Sequence, residues 1–296
     1  MKYGLHKMTW GLYFDPNDLE TFFSDAVAAG ADTWEFRPTD AAMNGDREEI
    51  RRIRKLASDN GIEMMFCFAY PPGIDMRSPD PAERKKAVDF LKRGIETAKE
   101  LGGREIGGVL YANWPTNYHG DMLTKEERNT RKKRTLDCLR EAFAYADEIE
   151  MPVNIEVINR YEDYTINTVQ EGLEFLRAID CRMCNLILDV YHMNIEEDDI
   201  CKAILSAKGR IGHFHVSEPN RRIPYHNVRI DWPSIGKALK EADYDKTVTI
   251  EAVVSFDGPS TYCMRLWRDL VDDRGKEMRI EAMRNGLQYI REQFSL

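Results

Sequence analysis

The chain has 296 residues, 43% hydrophobic and 31% charged, proportions of a folded globular protein that exclude a disordered or fibrous polymer. A formal charge of −9 opposes a nucleic-acid partner, because binding a phosphate backbone needs Lys and Arg to displace counterions; a neutral or metal-bound small substrate fits better. No run of about 18 apolar residues occurs, and the start MKYGLHKMTW lacks a signal peptide's apolar stretch, so the sequence predicts a cytoplasmic protein with no membrane span.

Short Val-, Ile- and Phe-rich runs alternate with longer amphipathic stretches, the pattern of repeated βα units. In chain order the predicted strands are 4–9, 33–36, 63–68, 105–110, 153–157, 185–189, 211–216 and 247–252. The helices between them carry their own start and stop signals. Asp18 opens a run through Ala29, Asp46 one through Asn60, and Asp80-Pro81 one reaching Leu101, with Gly30, Gly61 and Gly102 as stops. Similar signals predict helices over 124–149, 167–179, 198–207, 232–242 and 276–294. Eight alternations with no Gly/Ser linker, in a length near the roughly 250 residues such a fold needs, predict one domain over residues 1–296, a single (β/α)8 TIM barrel of the α/β class. The six cysteines (Cys67, Cys138, Cys181, Cys184, Cys201, Cys263) are scattered, which predicts reduced thiols. The Cys181/Cys184 pair has no second C-x2-C to complete a zinc site, so it reads as buried thiols.

Four late strands end in metal-competent side chains: NIE at Glu156, LILD at Asp189, HFH at His215 and TIE at Glu251. Parallel barrel strands all point one way, so these ends ring one mouth, where barrel enzymes work. An oxygen-rich set with a single imidazole suits one divalent ion, Mn2+ first, with Co2+ or Mg2+ as alternates. Three carboxylates crowded together also need a cation to offset their repulsion. Each residue could instead cap a helix separately. Nearby in sequence, Glu162, His192 and Arg221 could each reach the same mouth; Arg221 and Arg222 could instead be solvated surface charges and His192 a satisfied loop histidine, while His213 reads as a support for the site or as barrel interior. Trp114-Pro115 follows a Gly107-Gly108 pair and is placed either to stack on a sugar ring or to close the rim. His6 either lines the pocket or fills the barrel. The basic run from Arg131 to Arg134 reads as a solvated face.

The segments SPDPAERKKA (from Ser78), IGGVLYANWP (from Ile106), IEVINRYEDYTINTVQEG (from Ile155), LDVYHMNIEED (from Leu188) and GHFHVSEPNRR (from Gly212) resemble the ketose 3-epimerases, the D-tagatose and D-psicose 3-epimerase group of xylose-isomerase-like barrels. The resemblance covers most of the chain. It implies that Glu156, Asp189, His215 and Glu251 bind the metal and that Glu156 and Glu251 double as the acid/base pair. It also implies that Glu162, His192 and Arg221 hold the carbonyl and hydroxyl end of a free ketose, and that the protein is a homodimer or homotetramer. The stretch from Phe256 to Trp267 is a candidate contact surface. Three places depart from the family's pattern: Ala252-Val253 after Glu251, the loop from Pro224 to Arg229, and the first three strand ends (from His6, Glu35 and Cys67). Those departures keep open a related isomerase or lyase acting on another keto sugar or glycoside. A repair endonuclease of the same superfamily would need extra His ligands and a basic groove. A sugar-binding barrel with a structural metal is the non-catalytic alternative.

Overall fold

In the computed structural model every residue is described except 14, 16, 17, 72, 115–121, 226–228, 255–264 and 271–274. Eight strands, β1 (Lys2–His6), β2 (Thr33–Phe36), β3 (Glu63–Cys67), β4 (Ile106–Gly108), β5 (Val153–Val157), β6 (Cys184–Asp189), β7 (Ile211–Val216) and β8 (Thr247–Ile250), form a closed parallel barrel in sequence order. β8 closes on β1 through the register Lys2↔Thr247 to Leu5↔Ile250. The helices are α1 (Leu19–Ala28), α2 (Asp40–Met43), α3 (Arg47–Asn60), α4 (Pro81–Leu101), α5 (Lys125–Glu148), α6 (Val169–Ile179), α7 (Val190–Glu196), α8 (Ile200–Ser206), α9 (Trp232–Glu241) and α10 (Lys276–Ser295). Among the described residues no helix is long and apolar enough to cross a membrane.

The capping residues act where the sequence places them. Asp18, Asp46 and Asp80 accept amide hydrogens from the first turns of α1, α3 and α4, Thr124 and Thr168 form capping boxes on α5 and α6, and Gly61 and Gly102 end α3 and α4 in the left-handed conformation. Strand ends differ from expectation at three sites. β1 stops at His6 and gives way to a 3-10 segment over Lys7–Tyr13, β4 is only three residues long, and β8 ends at Ile250, so Glu251 follows its strand. The short helices α2 and α7 carry too few turns to show a helical period. The basic run on α5 is not a plain solvated face: Lys132 lies over the Phe175 ring at 5.5 Å and Arg134 donates to the Arg77 carbonyl at 3.2 Å, because the long aliphatic stems cover apolar surface.

Side-chain alternation decides what each strand turns inward. On β2, Trp34 and Phe36 stack at 4.3 Å and meet Phe23 of α1 at 4.9 and 5.9 Å, which turns Glu35 into the barrel. Each such buried aromatic contributes about 1.5–3 kcal/mol. Likewise Val157 of β5 faces Gly172 of α6, and its neighbour Glu156 faces inward. The close-approach reading of Gly107 and Gly108 holds: Gly108 has φ +117, and a Cβ there would meet the Phe68 carbonyl at 3.1 Å. We expect Gly108→Ala to destabilise the fold by about 1–3 kcal/mol, read as a lower urea midpoint at unchanged slope.

Cys138, Cys181 and Cys184 are buried free thiols, and Cys67 and Cys201 are free and half-buried. Cys263, Pro115, the centre of the loop after Arg222 (226–228) and residues 256–264 of the candidate contact stretch lie outside the described residues; at the end of that stretch Trp267 is exposed.

Candidate functional site

Glu156, Asp189, His215 and Glu251 meet inside the C-terminal mouth of the barrel. One ligand atom from each lies within 4.8 Å of the others, and all four residues are buried. Register brings them there: Asp189 sits beside His215, and Glu251 continues β8 by donating its amide to the Val216 carbonyl at 3.1 Å. Asp189 also caps α7 through the Tyr191 amide at 2.9 Å, so the helix-capping alternative is true of one oxygen while the other, Oδ2, faces the site.

His215 is the pivot. Its Nε2 lies 3.0 Å from Glu35 Oε2, and its Nδ1 lies 3.1 Å from Glu251 and 3.5 Å from Glu156. Burial works against the ionised carboxyl of Glu35, yet His215, His6 and His213 outweigh it and hold the group at about 2. An ionised Glu35 takes the Nε2 hydrogen and fixes the ring with Nδ1 aimed at the two glutamates, the carboxylate–imidazole arrangement that orients metal-binding histidines. Burial disfavours the imidazolium, but Glu35 and then Glu251 raise the His215 pKa well above its ordinary value. The spot between Nδ1 and the glutamates therefore attracts positive charge, a proton or a cation. In the ligating state, with the three carboxyls ionised and His215 neutral, the set faces the guanidinium of Arg221 with an excess of two negative charges, which one divalent ion balances. The donor set fits such an ion. Glu35→Gln is expected to weaken metal affinity by about 10–100-fold, measured by metal titration calorimetry.

Arg221 adopts φ 64, a left-handed conformation rare for a side chain of this size, and the loop is tied on both sides: its amide donates to Glu218 and its carbonyl accepts from Val253, each at 2.8 Å. Thus held, Nη1 reaches Asp189 Oδ2 at 2.6 Å and Glu251 Oε2 at 3.2 Å, and the guanidinium lies 3.9 Å from the Tyr191 ring centre. His192 Nδ1 accepts the Asn159 amide hydrogen at 3.1 Å, leaving Nε2 as the donor edge; burial lowers its pKa to about 3, so the ring is neutral. Glu162 accepts from Trp114 Nε1 at 2.6 Å and from Asn159 Nδ2 at 2.9 Å, and burial raises its pKa. The two acidic ligands nearest His215 diverge. Burial, then Glu251 and Asp189, raise Glu156, whereas for Glu251 the same burial is overcome by Arg221, His215 and His6, which hold it well below the usual range.

Residues 23–262 match the family described as xylose isomerase-like TIM barrel. The chain is 31% identical to a D-psicose 3-epimerase of Ruminiclostridium cellulolyticum over 278 residues, 94% of this chain and 92% of that one. The chain belongs to the ketose 3-epimerase family. It is 30% identical to a probable ketose 3-epimerase of Synechocystis over 99% of this chain and 97% of that one. It also superposes on the crystal structure of D-psicose 3-epimerase with D-tagatose from Clostridium cellulolyticum H10 with a TM-score of 0.92 at 29% identity, covering 99% of both chains. The protein is therefore an enzyme of the isomerase class, an epimerase.

In this epimerase a cleft opens beside the acidic ring, and every residue singled out from sequence as a substrate contact lines it: His6, Trp114, Glu162, His192 and Arg221. His6 stands 3.7 Å from Glu251, and burial lowers its pKa to about 4, so it is a pocket residue rather than barrel filling. His213 is interior, with Nε2 2.8 Å from Thr249 Oγ1; of the two arginines open to a surface reading, Arg222 is exposed and Arg221 is buried. Sequence reasoning missed Glu35, Asn159 and Tyr191, which orient His215, His192 and Arg221. A signal existed for the first: a carboxylate inside the four-residue strand TWEF, which is otherwise apolar or small. Asn159 meets His192 through both its backbone amide at 3.1 Å and its side-chain Nδ2 at 2.8 Å, and only the side-chain part could have been read from the residue type.

Proposed function

We propose that this epimerase inverts C3 of a ketose, of the D-tagatose, D-psicose or D-fructose type at its reacting end, by deprotonation on one face and reprotonation on the other. The reading rests chiefly on Glu156 and Glu251, two buried carboxyls flanking His215 Nδ1 with opposite pKa displacements. Glu156, Asp189, His215 and Glu251 would hold one divalent cation, Mn2+ before Co2+ or Mg2+. When bound, the cation supplies Lewis-acid polarisation of the C2 carbonyl and offsets charge on the enediolate.

The chain's own groups divide the remaining work. Glu251, kept ionised beside Arg221, is the base toward one face of C3, and Glu156, whose burial favours its protonated form, is the acid toward the other; the roles exchange for the opposite epimer. Arg221 and the Nε2 hydrogen of His192 donate to O2, and Glu162, fixed by Trp114 and Asn159, accepts from the O1 hydroxyl. These contacts stop the carbonyl end from swinging while the proton moves. Trp114 closes the side of the cleft. The test is incubation of metal-loaded protein with free ketohexoses and ketopentoses in D2O, followed by NMR of the products. A C3-epimeric pair with deuterium at C3 is expected. Exchange at C1 with an aldose product, or bond cleavage, would replace this reading with an isomerase or a lyase.

A further inference from the structure

The two ends of the cleft differ in charge. β5 to β8 and the loops after them supply the acidic ring, His192 and Arg221, whereas the rim beyond β1, β2 and β3 supplies Lys7, Arg37 and the wall from Cys67 to Ala69. In an eight-stranded ring β2 and β3 stand across the mouth from β6 and β7. β1 adjoins β8 on the same ring, so a ketose held at C2 and C3 by the acidic ring would have its C5–C6 end facing Arg37 across the mouth, with Lys7 at the flank.

Lys7 immediately follows β1 and Arg37 immediately follows β2, strands paired through His6↔Glu35, so both cations sit on one stretch of rim. Burial lowers His6 and raises Cys67 to about 12, and the Lys7 ammonium acts on both groups, which places it against the cleft. Arg37 pairs with Asp40 at 3.2 Å, and the two side chains are 38% and 83% exposed, so water weakens that pair and an anion can compete for the guanidinium. Among the described residues, Met8 and Phe68 add apolar surface to this rim. Overall acidity suggested a neutral substrate; the lining of the tail end nonetheless contributes two cations, Lys7 and Arg37.

We infer that the preferred substrate is a ketose carrying an anion at the end remote from C2 and C3, either a phosphate ester or a carboxylate, bound there by Lys7 and Arg37. The inference rests on the C3-epimerase reading of the same site.

The experiment compares D-fructose, D-fructose 6-phosphate and D-fructuronate on the metal-loaded protein, reading kcat/KM for C3 inversion and Kd by calorimetry. Charge-assisted contacts of this kind predict kcat/KM at least about 10-fold higher for one of the two anions than for D-fructose. Which anion leads distinguishes phosphate from carboxylate. In the double variant Lys7→Gln/Arg37→Gln the anion-to-neutral ratio should fall to about one. D-fructose equal to or better than both anions, or an unchanged ratio in the double variant, overturns the inference and leaves the epimerase reading intact. If no compound is inverted at C3, the reaction reading falls, and the Kd ratio alone then decides the anion preference. The wild-type ratio needs no variant to fold.

Discussion

Glu156→Gln and Glu251→Gln should each lower the rate of C3 inversion by about 10²–10⁴, the size of effect expected when a positioned acid or base is removed. Gln keeps the shape of Glu and one ligating oxygen but neither gives up nor takes a proton at neutral pH. Because the carboxyls serve opposite faces of C3, each variant should still wash deuterium from D2O into one epimer only, through the surviving glutamate, without producing the other. Both residues sit in the candidate ligand set, so bound metal is measured alongside and assays are repeated at excess Mn2+. Wild-type inversion in either variant ends the two-base scheme.

Removing the metal with a chelator should abolish turnover, and adding back a divalent ion should restore it. Binding should also stabilise the fold, by about 2.7 kcal/mol at a free metal concentration a hundred times Kd, seen as a rise in Tm. The pH dependence has a definite sign. In the metal-free chain Glu35 and Glu251 raise the His215 pKa well above its ordinary value against the effect of burial, and burial raises that of Glu156 to about 7. Both must lose protons to ligate, so binding releases protons and affinity weakens as pH falls. Calorimetry in two buffers of different ionisation enthalpy reads the release directly. Affinity independent of pH between 6 and 8, or binding without proton release, would show that the ion sits elsewhere.

The alternation of strands and helices was plain in the sequence because each element carries its own period and cap: Asp46 and Gly61 bound α3 without help from distant residues. The four metal-competent residues were also legible, since a carboxylate or imidazole at the end of an apolar strand gains nothing from the core it adjoins. Their supports were not. Glu35 precedes His215 by 180 residues and touches it because a barrel brings β2 inward against β7; no local pattern encodes that meeting. The tie between Arg221 and Asp189, and the backbone amide of Asn159 on His192, are of the same kind. Arg221 and Arg222 are equivalent as residue types. The left-handed turn at Arg221, anchored to Glu218 and Val253, buries the first and leaves the second in water.

By itself, then, the sequence determined the barrel, the mouth at which chemistry is placed, the four candidate ligands and the family, because strand period, capping and residue type are local properties that survive without coordinates. Only the tertiary structure decided which nitrogen of His215 faces the carboxylates, which glutamate is held ionised, and that Lys7 and Arg37 share a rim. Those depend on distance and burial between residues far apart in the chain, and electrostatic energy is set by separation in space rather than by order in sequence.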